Sequence, residues 1–228
     1  MVPEVGKPEA KAPDMETTTR TLSFRARAAL ADAISRGFAY PVSDFYTDLA
    51  SGDFLQSLMH GSGRPDRSSA LYIAMSEIES GIQVIIQDHT REDLESEYIG
   101  LFEHNKAQSP LHLFGGLYLQ SEGGRLETLQ RLITLYRSCG LEMEDGSEHA
   151  DHLTVVLEFL GLLYRHCDQL QSGHDEPGLR QARADIRAIV NELAWTRRLD
   201  QELAARGGHP FYLPLSRLLQ ILLVLPGA

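Results

Sequence analysis

Cysteine is scarce in this chain of 228 residues. The two cysteines, Cys139 and Cys167, lie far apart and form no Cys-x-x-Cys pair. Two cysteines cannot provide a disulfide framework for a chain of this length, so the composition predicts a protein of a reducing compartment, the cytoplasm.

Long apolar runs are also missing. The most apolar stretch, residues 213–225, contains Pro214, Arg217 and Gln220. It is too short and too interrupted to span a bilayer, and no stable membrane insertion is expected.

Positive charge is in short supply as well. The chain has 21 Lys and Arg residues against 32 Asp and Glu residues, which gives a formal net charge of −11. Phosphate groups are bound by basic surfaces, so this balance argues against nucleic acid as the partner. It argues equally against an anionic membrane surface. An acidic surface is instead compatible with a basic partner.

The sequence lacks the motifs of common catalytic and nucleotide-binding loops. It contains no Gly-x-Ser-x-Gly, no P-loop and no Gly-x-Gly-x-x-Gly. The pairs Gly115-Gly116 and Gly123-Gly124 are isolated and indicate turns in loops. No secretory signal is expected either, because residues 1–20 have no apolar core segment.

No stretch alternates between apolar and polar residues as a half-buried strand does. Apolar residues recur instead at intervals of three and four, as in the series Leu71, Met75, Ile78 and Ile82. The pattern predicts an all-α protein of seven to eight helices, forming a single bundle over residues 21–228. The segment 1–20 is rich in Pro, Glu, Lys and Thr and is predicted to be a disordered tail.

Several residues mark the ends of the predicted helices. Thr90 and Asp93 have the spacing of a capping box, and Gly140 is suited to close a helix. Ser43 or Asp44 is expected to cap one helix, which the glycine and proline residues of 61–65 end. A long helix is predicted from about Leu179 to Ala205.

A cluster of polar residues, His149, Asp151 and His152, opens an otherwise apolar helix that also carries Glu158. Two histidines one turn apart can share a metal ion. The spacing, however, matches neither His-Glu-x-x-His nor a paired Glu-x-x-His set, and polar residues are common in the first turn of a helix. A helical metal-dependent hydrolase using these three residues remains one alternative, and a helical regulatory or scaffold protein is another.

Two longer stretches carry a recognisable combination of motifs, "EYIGLFEHNKAQSPLHLFGGLYLQ" and "CGLEMEDGSEHADHLTVVLEFLGLL". The first has Tyr-x-x-Leu-Phe and then a loop with Pro and a later Tyr. The second has an acidic turn and then Asp-His-Leu before Leu-Glu-Phe. Their order and spacing resemble the TorD/DmsD/NarJ family of redox-enzyme maturation chaperones. The "GRLETLQRLITLYRSCGLEM" segment is most similar to members serving dimethyl-sulfide-dehydrogenase-like, selenate-reductase-like or ethylbenzene-dehydrogenase-like molybdoenzymes.

The resemblance implies a TorD-like, all-helical cytoplasmic chaperone that is not an enzyme and uses no cofactor or metal of its own. Its implied partner is the immature catalytic subunit of a molybdoenzyme, bound through the twin-arginine leader peptide until the molybdenum cofactor is inserted. The chaperone would act as a monomer or a homodimer. Acidic residues of the turn, Glu142, Glu144, Asp145, Glu148 and Asp151, would attract the arginines of the leader. The implied client-binding residues are Tyr98, Phe102, Pro110, Tyr118, Asp151, His152 and Glu158.

Overall fold

The computed structural model describes residues 22–62, 65–104, 109–119, 122–142 and 149–225. The predicted tail and three residues of the acidic turn, Glu144, Asp145 and Glu148, lie outside the described residues. Glu142 and Asp151 lie within them.

The described part of the chain is built from helices and contains no strand, which confirms the predicted all-α class. Its elements are α1 (Phe24–Phe38), α2 (Ser43–Ser51), α3 (Asp53–Ser62), α4 (Ala70–Asp88), α5 (Arg91–Tyr98), a π-helical turn (Ile99–Glu103), a 3₁₀ turn (Gly115–Tyr118), α6 (Glu122–Ser138), α7 (Leu153–Ser172), α8 (Glu176–Glu192), α9 (Thr196–Ala205) and α10 (Tyr212–Val224). None of the helices in these ranges combines the length and apolar character needed to traverse a bilayer.

Two of the helices predicted from the sequence are each divided in the structure, so the described residues contain more helices than expected. The helix that starts at Ser43 stops where Gly52 adopts the left-handed conformation with φ 85°, and α3 then begins at Asp53. The predicted helix over 179–205 is interrupted between α8 and α9. There the Thr196 hydroxyl donates to the carbonyl of the buried Leu193 at 2.7 Å.

Helix α1 lies at the centre of the bundle and contacts α7, α3 and α10. Its side chains Leu30, Ile34 and Phe38 are completely buried. Against α7 the approach is close, because a Cβ atom at Gly161 would overlap the carboxylate of Asp32. Burial of an apolar side chain such as Leu30, Ile34 or Phe38 stabilises the fold by about 1.5–3 kcal/mol, at about 25 cal/mol for each Å² of apolar surface removed from water.

A group of aromatic side chains joins α1, α5, the π-helical turn and α10. Phe38, Tyr98, Phe102 and Tyr212 lie with ring centroids 5.0–6.3 Å apart. The Tyr98 hydroxyl also donates a hydrogen bond of 3.1 Å to the carbonyl of Phe38. This aromatic cluster therefore fixes the end of α5, from which the chain enters the loop that leads to Gly115 and Gly116.

Candidate functional site

The two stretches that carry the sequence motifs lie side by side. The Leu153 N–H donates to the Leu113 carbonyl at 2.7 Å, and the Gly115 N–H donates to the Asp151 carbonyl at 3.0 Å. Phe114 and His152 form an isolated antiparallel bridge between them. We call residues 113–116 and 150–153 the paired segments, and they form the centre of the candidate site.

Asp151 is buried in the paired segments, with 2% of its surface exposed. Its Oδ2 accepts a hydrogen bond of 2.8 Å from the Gly116 N–H. Its other oxygen, Oδ1, is buried and has no hydrogen-bond partner among the described residues. A Cβ atom at position 116 would lie 2.9 Å from Oδ2, so glycine allows this close approach. The carboxylate is thus placed to hold the 3₁₀ turn, and it does not contribute to an exposed acidic rim.

His152 is also largely buried, with 7% exposure. Its Nδ1 lies 2.7 Å from the Thr154 hydroxyl, and its ring packs edge-on against Phe114 with centroids 4.8 Å apart. His149 is exposed, and its ring also contacts Phe114. Within the described ranges, no group of three or more His, Cys, Asp or Glu residues is arranged to hold a metal ion. The ligand set of the hydrolase alternative is therefore not assembled in this part of the protein.

Tyr118, at the end of the 3₁₀ turn, contacts Trp195, the residue before α9, and Arg198 within α9. Tyr118 is half-buried, donates to the His112 carbonyl at 2.9 Å and stacks on Trp195 with centroids 4.8 Å apart. The Arg198 guanidinium lies 5.6 Å from the Tyr118 ring centroid, a cation–π contact. Burial raises the pKa of Tyr118 far above its usual range, so its hydroxyl stays a donor. The sequence interpretation did not identify Trp195 or Arg198, although Trp195 is the single tryptophan of the chain.

The remaining predicted residues occupy three different environments. Tyr98 and Phe102 are buried in the aromatic cluster and support the loop through the Leu101 carbonyl, which accepts from the Leu111 N–H at 2.7 Å. Pro110 is half-buried, next to a serine carbonyl that is bound by the Arg206 guanidinium. Glu158 is exposed on α7, about 9 Å along the helix axis from His152.

Three leucines that follow the paired segment 113–116 in the chain are exposed, Leu117, Leu119 and Leu126, with exposures of 41%, 42% and 59%. The 3₁₀ turn packs against the start of α6, where a Cβ atom at Gly116 would touch the side chain of Arg125 at 2.5 Å. Leu117 directly follows Gly116 in the chain, and Leu126 directly follows Arg125. We call these three residues the leucine face. Exposed apolar groups that adjoin one another are typical of interaction sites.

A cavity of about 550 Å³ opens between α6 and α8. Its lining includes the carboxylates of Glu127 and Glu192, and the apolar residues Leu135 and Ala188. Arg131 Nε donates to Glu192 at 2.7 Å across the cavity. Glu127 is exposed and directly follows Leu126 in the chain, so it is the carboxylate nearest to the leucine face in the sequence of α6.

Comparison with known proteins gives the family. Residues 69–197, more than half of the chain and the region that holds all the predicted site residues, match the family described as nitrate reductase delta subunit. The chain is also 36% identical, over 118 residues, to the chlorate reductase assembly chaperone protein of Ideonella dechloratans. That alignment covers 50% of this chain and 60% of the relative, so the chain spans about three-fifths of the relative's length. This protein therefore belongs to the nitrate reductase delta subunit family, the TorD/NarJ family of redox-enzyme maturation chaperones.

Proposed function

We propose that this protein is a system-specific cytoplasmic chaperone for a molybdoenzyme. It binds the N-terminal, twin-arginine leader region of the immature catalytic subunit and holds the apo-enzyme until the molybdenum cofactor is inserted, before export. It catalyses no reaction. The observation that carries the proposal is the family match, which spans every predicted site residue, together with a relative that is named an assembly chaperone.

The leucine face is the surface best suited to the leader. A twin-arginine leader presents two arginines followed by an apolar run. Leu117, Leu119 and Leu126 offer exposed apolar surface to the apolar run, and Glu127 lies beside them for the arginines. Apolar contact supplies affinity in such a complex, while charge complementarity mainly raises the association rate and sets the orientation.

The buried site residues act in this proposal by positioning the leucine face. Asp151 holds the turn that presents Leu117, through its hydrogen bond to the Gly116 N–H. His152 anchors the same turn through Phe114, and Tyr118 fixes its far end on Trp195. Tyr98, Phe102 and Pro110 support the loop that leads to the 3₁₀ turn. Glu158 is the most exposed of the predicted residues, so a basic peptide could reach it.

Calorimetry with a synthetic leader peptide tests the proposal. Replacing Asp151 and His152 together by alanine is expected to lower the affinity about tenfold or more, since loss of a charge-assisted hydrogen bond costs about 1.5–3 kcal/mol. Helicity by circular dichroism should stay unchanged. The matched variant Asp151→Asn keeps an oxygen for the Gly116 N–H and should retain most of the affinity. Unchanged affinity in the double variant would reject the site.

A second pair of variants tests the surface itself. Leu117→Glu and Leu126→Glu place a charge in the apolar contact and should each weaken peptide binding. Met59→Glu is the matched control, because Met59 is an equally exposed apolar residue, at 53%, on α3. An effect of Met59→Glu equal to that of the other two would show that the peptide binds without regard to this face.

A further inference from the structure

The helical residue of the leucine face, Leu126, is flanked by charges of opposite sign. Arg125 and Glu127 are the residues directly before and after it on α6. Each residue of an α-helix is turned about 100° from the one before it, so the two charged residues lie about 200° apart around α6, with Leu126 between them. A peptide that carries charge at one end only can therefore distinguish the two sides of this face.

Arg125 lies on the side of the 3₁₀ turn. A Cβ atom at Gly116 would be 2.5 Å from its Cγ and 3.1 Å from its Cδ, so the stem of the arginine lies against the turn. The Oδ2 atom of Asp151 lies 2.9 Å from the same Cβ position. Of these two charged groups only Arg125 reaches the surface, because it is partly exposed whereas Asp151 is 2% exposed. The side of the leucine face next to the turn therefore presents a cation to solvent.

Glu127 lies on the opposite side, in the lining of the cavity between α6 and α8, which we call the α6–α8 cavity. This cavity already contains a guanidinium bound to a carboxylate. Arg131 Nε donates to Glu192 Oε1 at 2.7 Å, and Arg131 Nη2 donates to Glu192 Oε2 at 3.3 Å. Such a pair of parallel bonds is a strong way for arginine to bind a carboxylate. Arg131 uses both oxygens of Glu192, so Glu127 is the carboxylate of this lining that remains for a second guanidinium.

The rest of the lining suits both the stem and the head of an arginine side chain. Leu135 and Ala188 provide apolar surface, and Gln130 and Thr134 provide polar groups. The volume of about 550 Å³ is within the usual range of pockets that hold small ligands. With two carboxylates and one arginine, the lining has one negative charge in excess, which matches a single guanidinium.

We propose that the leader binds in one direction, with an arginine at Glu127 in the α6–α8 cavity and its apolar run on the leucine face toward the 3₁₀ turn. Arg125 and Glu127 set this direction. The reverse direction brings the arginines of the leader against Arg125 and leaves Glu127 without a counter-charge. The direction rests on the proposed function, since it presupposes that the leader binds at this face.

Pulsed electron paramagnetic resonance tests the direction. Cys139 is exposed and Cys167 is buried, so a nitroxide reagent labels Cys139, just after the end of α6. Thr134, in the cavity lining, is five residues before Cys139, about 8 Å along the helix axis, whereas Arg125 is fourteen residues before it, about 21 Å. With a second nitroxide on either end of a synthetic leader, we expect the shorter distance for the label at the arginine end. Equal distances, or a shorter distance for the apolar end, would overturn the inference.

Two variants test the residues that set the direction. Glu127→Gln should lower the affinity for the leader about twofold to fivefold, the size of an exposed charge pair, and should not affect a leader with both arginines replaced by glutamine. Glu79→Gln is the matched control, because Glu79 is an exposed glutamate on α4. Arg125→Gln keeps the Cγ atom that lies against Gly116 but removes the charge. We expect it to bring the two label distances closer together.

The outcomes separate this inference from the proposed function. A leader that binds, but is weakened no more by Glu127→Gln than by Glu79→Gln, would overturn the inference and leave the proposed function in place. The same holds if Arg125→Gln keeps the two label distances of the unaltered protein. An unaltered protein that does not bind the leader would overturn the inference together with the proposed function.

Discussion

At the scale of single residues, the fold depends on a few positions where backbone and side chain approach so closely that only one residue type fits. Gly81 is such a position, since the Pro210 carbonyl occupies the space of its Cβ atom. Gly116 is another, because a Cβ atom there would lie 2.9 Å from the Asp151 Oδ2 and 2.5 Å from the Arg125 side chain. At Gly81 the neighbour is backbone, which cannot move aside as a flexible side chain can.

Gly81→Ala is expected to destabilise the protein by about 1–3 kcal/mol, because the methyl group forces the α9–α10 connection away from α4. Gly123→Ala is the matched control. Gly123 is also helical but has nothing within 4 Å of its Cβ position. Alanine there should be neutral or stabilising by about 0.5–1 kcal/mol, since glycine is the poorer helix former. Denaturant unfolding measures both, and equal midpoints for the two variants would contradict the assignment.

Local sequence does not predict the environment of the proposed site residues. Polar residues before an apolar helix indicate a solvent-exposed first turn, and this is the interpretation that Asp151 and His152 receive from the sequence. The structure buries both, because their partners Gly116 and Phe114 come from a loop more than thirty residues earlier. No periodicity encodes such a contact, and the same holds for the stacking of Tyr118 on Trp195.

At the scale of elements, two of the predicted helix ends follow from the capping residues that mark them. The predicted cap at Ser43 or Asp44 is wrong, because Ser43 is already the first residue of α2 and Val42 precedes it without a side-chain hydrogen bond. The box of Thr90 and Asp93 is present as predicted, and Gly140 adopts φ 77° after α6. The interruptions at Gly52 and Leu193 were not predicted. Apolar spacing continues across both, and a single left-handed residue or a buried turn leaves little trace in that spacing.

The start of α10 contains an acid-sensitive connection. His209 accepts two backbone N–H groups at Nδ1, so its proton lies on Nε2, 3.0 Å from Glu97, which also binds His89. Burial lowers the pKa of His209 below its ordinary value. The unfolded chain therefore takes up a proton that the folded protein resists. The stability from this residue is present above about pH 6.5 and is lost as the pH falls through the lowered pKa.

We expect the melting temperature to fall between about pH 7 and about pH 5, and His209→Asn to make that fall smaller. Asparagine keeps an oxygen that can accept from the helix N–H groups but does not titrate. His166→Asn is the control, because His166 is an exposed histidine on α7. The same slope of melting temperature against pH in the unaltered protein and in His209→Asn would contradict the role of this residue.

At the scale of the whole molecule, the dominant property is the net charge of −11. Under the proposed function, solvent-exposed charges of this surface would attract a leader with two arginines. These are screened as the Debye length falls from about 10 Å at 0.1 M salt to about 3 Å at 1 M. We expect leader affinity to decrease as salt rises, measured by calorimetry. A leader with both arginines replaced by glutamine should bind more weakly and respond little to salt. Salt-independent binding of the natural leader would contradict the hypothesis that acidic residues of the chaperone attract the arginines of the leader.

The brace that α9 supplies to the loop has a consequence for synthesis of the protein. Trp195 and Arg198 contact Tyr118, and Arg206 binds the carbonyl of Ser109. A ribosome that has translated only as far as α8 has therefore made every residue that resembles the family motif, yet none of the side chains that stack over it. Under the proposed function, binding of the leader therefore requires residues that are made after the motif itself. A chain that ends before Trp195 is expected to lose leader binding although it keeps every residue of the motif.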